Sequence, residues 1–186
     1  MSTRVSLLDQ LLTRIGEGLT SNLSWLNHAY GRAERIIKRI NGSDYKLPVI
    51  YTGKGSRFYN EYLSMLPDSE IGNFSFFWMP DPRKMEDWTP HVRGRITDPY
   101  ALIVWLDLRK AYNELDNRSI NTIEEDILKA LRSVTLPTGS FTINKVYHLP
   151  ENIYREFSID EVDSQFLMHP YMGIRIEGEL IYDEIC

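Results

Sequence analysis

Tyr100-Ala101-Leu102-Ile103-Val104-Trp105-Leu106-Asp107-Leu108 is the most continuous apolar run in the chain. A run of this length, rich in β-branched and aromatic residues, predicts a central strand covered on both faces. Near the other end, Ile174-Arg175-Ile176-Glu177-Gly178-Glu179-Leu180-Ile181-Tyr182 alternates. That period places Ile174, Ile176, Leu180 and Tyr182 inward and Arg175, Glu177 and Glu179 outward. Phe141 to His148 alternates as well, and Leu47 to Thr52 reads as a short strand with Pro48 near its start. Phe74 to Met79 is another strand-like run, closed by Pro80-Asp81-Pro82.

Helical spacing surrounds these strands. Val5, Leu8, Leu11, Leu12 and Ile15 form one apolar stripe over residues 5–19. Leu23, Leu26, Tyr30, Ala33, Ile36, Ile37 and Ile40 predict a second helix from Asn22, ended by Asn41-Gly42. Asn121 or Thr122 can cap a third helix reaching Ser133, with Glu124, Glu125 and Asp126 near its positive end. Ser158-Ile159-Asp160-Glu161 has the form of a capping box before a short helix. The segment 80–99 holds four prolines with Met85 and Trp88 and reads as an ordered, projecting loop or arm. The sum is one α+β domain over residues 1–186. Its mixed, mostly antiparallel sheet has helices at the N-terminus and packed on one face.

Composition narrows the function classes. Of the 186 residues, 42% are hydrophobic and 25% charged, which fits a packed domain and not a disordered chain. The single cysteine, Cys186, cannot form an internal disulfide. No run of 18 apolar residues occurs and residues 1–10 lack a secretory pattern, so neither a spanning helix nor a signal segment is expected. The net charge of −5 is unevenly spread. Residues 1–57 carry nine Lys/Arg against four acids, and residues 151–186 carry nine acids against two arginines. Such polarity suits one copy's basic part meeting the next copy's acidic part.

No familiar chemistry is spelled out. Gly53-Lys54-Gly55-Ser56 lacks both the upstream glycine and the hydroxyl directly after lysine that a phosphate loop needs. His28, His91, His148 and His169 are scattered without zinc-type spacing, so no metal or cofactor is expected. Asp107, at the end of the buried strand, is the most prominent single acid, though Arg109 and Lys110 beside it offer an ion pair. Phe74, Phe76, Phe77, Trp78 and Trp88 crowd into fifteen residues. With Phe76 and Trp78 on one face and Phe77 on the other, either both faces are covered or one meets a partner; the composition favours a partner surface.

The order of several short stretches resembles a group of small virion proteins from tailed phages of the Bacteroidetes. Trp25-Leu26-Asn27 with Gly31-Arg32-Ala33, Pro48-Val49-Ile50-Tyr51 and Gly53-Lys54 carry its opening. Leu66-Pro67-Asp68-Ser69, Gly72 to Phe77 and Ile103 to Leu108 follow, and Phe166 to Tyr171, Gly173 to Ile176 and Cys186 close it. The resemblance implies a non-enzymatic homo-oligomeric ring, sixfold or twelvefold, of the tail-terminator, tail-completion or head–tail connector type. Its neighbours would be portal, connector or tail proteins, with DNA only as passing cargo and no membrane. The implied location is the neck or tail of the virion, reached from the host cytoplasm during assembly. The candidate ring contacts are Arg32, Arg35, Lys38 and Arg39 against Glu177, Glu179, Asp183 and Glu184, with Phe76, Phe77, Trp78 and Trp88 clasping an adjacent ring. Alternatives are a small metal-dependent nuclease or hydrolase around Asp107 and Glu124, or a non-virion module that binds one partner through the aromatic arm.

Overall fold

A computed structural model describes residues 6–53, 61–68, 70–86, 94–114, 119–160 and 164–184. Its frame is the pairing of two long strands, β7 (Gly94–Asp107) and β10 (Tyr171–Glu184). They run antiparallel in unbroken register from Tyr171 opposite Asp107 to Glu184 opposite Gly94. In front of β7 lie β5 (Phe74–Trp78), antiparallel to it, and β1 (His28–Arg32), parallel to β5. Beyond β10 the short strands β8 (Ser140–Phe141) and β9 (Lys145–Tyr147) share one edge. The fold is thus α+β with a mostly antiparallel sheet.

One face of this sheet is covered by α1 (Leu7–Asn22) and α3 (Ile120–Arg132). Leu8, Leu11, Leu12, Ile15 and Leu19 of α1 join Ile123, Ile127 and Leu131 of α3. Beneath them are Leu102, Val104, Ile174, Ile176 and Leu180. The two helices start as sequence chemistry dictates: Ser6 and Ser119 accept hydrogen bonds from the Asp9 and Thr122 amides. The α3 cap is Ser119, ahead of Asn121, so Glu124 to Asp126 fall one turn deeper than predicted.

The opposite face carries a second core of Phe74, Phe76, Ile103 and Trp105 beneath Met65, Ile153, Tyr154, Phe157 and Leu167. Met65 follows the last strand of a three-stranded sheet, Ile153, Tyr154 and Phe157 belong to α4 (Pro150–Ile153) and the turn after it, and Leu167 to the segment that leads into β10. The small sheet has the order β2 (Glu34–Ile40), β3 (Ser43–Tyr51), β4 (Tyr62–Ser64). Ser158 and Lys46 exchange hydrogen bonds along β3, so residue 158 continues the row that β4 begins.

Several expectations are corrected. The predicted helix over 22–40 is instead β1 and β2. Asn41 and Gly42, at φ 50° and 85°, make a two-residue hairpin turn where a helix stop was expected. The isoleucines of β2 suit a strand, and the Asn-Gly turn outweighs their helix-like spacing. Residues 80–86 do not project: β6 (Lys84–Glu86) lies antiparallel on Thr97–Arg95 of β7, and Arg83 clamps Asp98 at 2.7 and 2.9 Å. Trp88 lies outside the described residues, as do Lys54 to Asn60. The Ser158–Glu161 capping box falls partly outside them, and Ser158 itself bonds Lys46. The strand expected over 141–148 is interrupted where Thr142 to Asn144 pass over β10. A short α2 (Leu108–Ala111) follows β7 directly. Among the described residues, no helix is long and apolar enough to cross a membrane.

The passage over β10 depends on Gly178. A Cβ there would lie 1.8 Å from the Thr142 carbonyl oxygen, which also accepts the Tyr100 hydroxyl at 2.8 Å. Gly178→Ala should therefore lift residues 140–144 from the sheet at about 1–3 kcal/mol. Thermal unfolding should show a midpoint lower by several degrees, on the scale of about 2–4 °C per kcal/mol for a chain of this size.

Candidate functional site

Charged residues divide into those consumed by the fold and those left on its surface. The most buried is Arg175, predicted to point to solvent but with no exposed surface. It lies on the face of β10 opposite Ile174 and Ile176, where α4 and the turn after it cover the strand. Its Nη1 and Nη2 reach both Glu156 oxygens at 2.6 and 2.7 Å, Nε reaches Glu177 at 2.7 Å, and Nη1 also donates to the Ile153 carbonyl at 3.3 Å. Arg155 closes the network by bonding Glu177 and, at 3.2 Å, Glu156. Glu177, a candidate ring contact, is therefore occupied within its own chain. Burial opposes ionisation of Glu156, but the Arg175 guanidinium outweighs it and holds the carboxyl below its usual range.

Asp107 is also consumed. Its carboxylate accepts the Arg109 amide at 3.0 Å, capping α2, and the Arg109 guanidinium at 2.9 Å through two nitrogens. Those charge-assisted bonds keep its carboxyl below the ordinary value despite burial. Arg109 lies in turn over the Tyr171 ring at 5.2 Å. Next to it, the buried Asn73 accepts the Asp107 amide at 2.8 Å and donates to the Trp25 carbonyl at 2.9 Å, joining β5, β7 and the segment after α1. Glu124 meets His148 at 2.9 Å and Asp126 accepts the Tyr112 hydroxyl. Asp107 and Glu124, paired as an enzyme centre in the alternative reading, each hold a different basic residue. Among the described residues, no group of three or more His, Cys, Asp or Glu is arranged to hold a metal.

The aromatic run belongs to the cores. Phe76 faces the second core and Phe77 the first, both essentially without exposure, so the sheet is covered twice and these two residues present no partner surface. Trp78 is half-buried against Phe157 and carries Arg35 over its ring at 5.6 Å.

The outward-facing set is smaller than predicted. A strand splits the four basic residues that a helix would have gathered. Arg32 ends β1 and is exposed. Arg35 and Arg39 share the outer face of β2, while Lys38 lies half-buried on its inner face. Between the two arginines stands Ile37, 66% exposed, and Lys46 of β3 is directly opposite it. The adjacent Ile36-Ile37 pair could have revealed this, since one of two neighbouring strand isoleucines must face away from the core. On β10, Glu179 is half-buried and Asp183 exposed, the latter 3.7 Å from Arg95. Glu184 belongs to β10.

A groove of about 570 Å³ opens under the hairpin tip, lined by Ile40, Tyr45, Leu47, Leu66 and Phe166. Three of its polar residues serve the backbone: Ser64, Asp68 and Ser158 accept the amides of Leu66, Glu70 and Lys46. No protein-family model matches the chain, and no curated protein matches it.

The Glu156–Arg175 pair yields a prediction of two parts. Glu156→Gln leaves a buried guanidinium short of one charge and should destabilise by about 3 kcal/mol at neutral pH. Because the native carboxyl is depressed, its contribution is complete above the unfolded value of about 4.3. It is lost as pH falls through the lower native value. Urea unfolding across pH should show the wild type losing stability on acidification below that point, with a shallower loss in the variant.

Proposed function

We propose that this chain is a structural subunit of the neck or tail of a tailed phage particle. Copies repeat around a closed ring through which DNA passes, beside portal, connector or tail proteins. The chain is not an enzyme in this reading.

One observation carries it. Arg35 and Arg39 stand exposed on β2, and Glu179 and Asp183 stand on one face near the end of β10, a different element of the same chain. A ring repeats one heterologous contact until it closes, and this requires two unlike, complementary surfaces on each copy. A symmetric dimer would instead use one self-complementary surface. The ordered stretches that resemble Bacteroidetes phage virion proteins, from Trp25 to Cys186, supply the setting.

Quantitative mass spectrometry of purified particles is the test. The chain should be present at a fixed ratio to the portal protein that corresponds to six or twelve copies. Its absence from purified particles would overturn the proposal.

A further inference from the structure

We infer that the outer face of β2 docks on the C-terminal part of β10 of a second copy, base–apolar–base ladder against acid–apolar–acid ladder. The second copy as partner rests on the ring reading above; the ladders themselves rest on the geometry.

Strand alternation sets both ladders. Arg35, Ile37 and Arg39 occupy every second position of β2 and share one exposed face, alternating with the half-buried Ile36, Lys38 and Ile40. Lys46 and Asp44 opposite Ile37 and Arg39 are exposed as well, whereas Pro48 opposite Arg35 is buried. Glu179, Ile181 and Asp183 do the same on β10, on the face opposite Leu180 and Tyr182. Equal spacing on the two strands, about 6.8 Å from each residue to the next in its ladder, lets charge meet charge while isoleucine meets isoleucine. Either strand direction preserves the match, since both ladders are symmetric in character.

Arg35 keeps its place over the Trp78 ring at 5.6 Å, and the ion-pair partners of the ladders do not compete strongly. Arg39 lies 3.9 Å from Asp44 and Asp183 3.7 Å from Arg95, all four mostly exposed. Such solvated pairs contribute little and exchange readily. Ile37 is the most exposed large hydrophobic among the described residues. An apolar residue framed by arginine is the composition of an interface centre.

Homotypic pairing is disfavoured. Among the described residues β2 pairs only with β3, so its other edge is open. Two β2 edges brought together would oppose arginine to arginine, the device by which edge strands resist self-pairing. The chain as a whole is −5, whereas residues 34–51 carry four Lys/Arg and two acids. The hairpin is therefore drawn to another part of its neighbour.

Charge exchange tests this on the full chain. Sedimentation and native mass measurement at low salt should show the wild type associating with rising concentration. Arg35→Glu/Arg39→Glu and Glu179→Lys/Asp183→Lys should each weaken association by about a hundredfold, with circular dichroism unchanged. An equal mixture of the two variants should associate again, because each reversed ladder finds its complement on the other chain. A wild type that stays monomeric at the highest concentration reached, or reversals that leave association intact, would overturn the inference. Closed rings indifferent to reversal would remove the contact and keep the ring. Open-ended chains abolished by reversal would keep the contact and remove the ring.

Discussion

The fourteen-residue ladder between β7 and β10 is the constraint on which the other elements depend. β7 is apolar enough along the covered stretch to need shelter on two sides, and each strand satisfies the backbone of one whole edge through the other. Once their register is set, Trp105, Ile103, Leu102 and Ile174 have fixed faces. The helices then cover one face, and the small sheet with α4 covers the other. The same register brings Gly178 opposite Tyr100, which is why the chain from β8 to β9 can cross there. It also turns Arg175 inward, toward the turn that supplies Glu156.

Charge in this molecule is sorted by depth. Arg175, Glu156, Glu177 and Arg155 form one network, and Asp107 and Arg109 form another. Each closes a turn or short helix onto the end or side of a long strand. Buried pairs of this kind add little net stability over apolar packing, but breaking one leaves an uncompensated charge, so they specify where the turn must lie. The surface acids and bases face no such demand. The basic pair Arg35 and Arg39 on β2 and the acidic pair Glu179 and Asp183 on β10 are features of the exterior, and a repeated contact between copies is the use the proposed ring makes of them.

The strands were legible where one physical signal dominated. Tyr100 to Leu108 and Ile174 to Tyr182 were read as strands because continuous or alternating apolarity has few other solutions at that length. The stretch 22–40 carries apolar residues at three- and four-residue steps that fit a helix, yet it forms β1 and β2. The decisive signal was the local backbone demand of Asn41-Gly42. Arg175 is buried against the expectation for another reason: alternation assigns faces but does not say that a distant segment, 150–157, covers the polar one. Likewise Phe76 and Phe77 have identical one-dimensional signatures whether the second face meets a partner or the chain's own small sheet. Of the candidate contacts, Arg35, Arg39, Glu179 and Asp183 stand on accessible or half-buried faces, and Ile37 and Ile181 between them carry no charge, so a charge pattern alone does not mark them.

The central claim is that unlike faces of neighbouring copies meet, and proximity between copies measures it most directly. Chains carrying Ile37→Cys and chains carrying Ile181→Cys, each with Cys186→Ser, can be mixed at low salt and oxidised. The account predicts a disulfide-linked dimer in the mixture and little in either chain alone, with the bridge mapped by mass spectrometry to positions 37 and 181. Equal cross-linking of the 37 variant with itself, or none in the mixture, would contradict it.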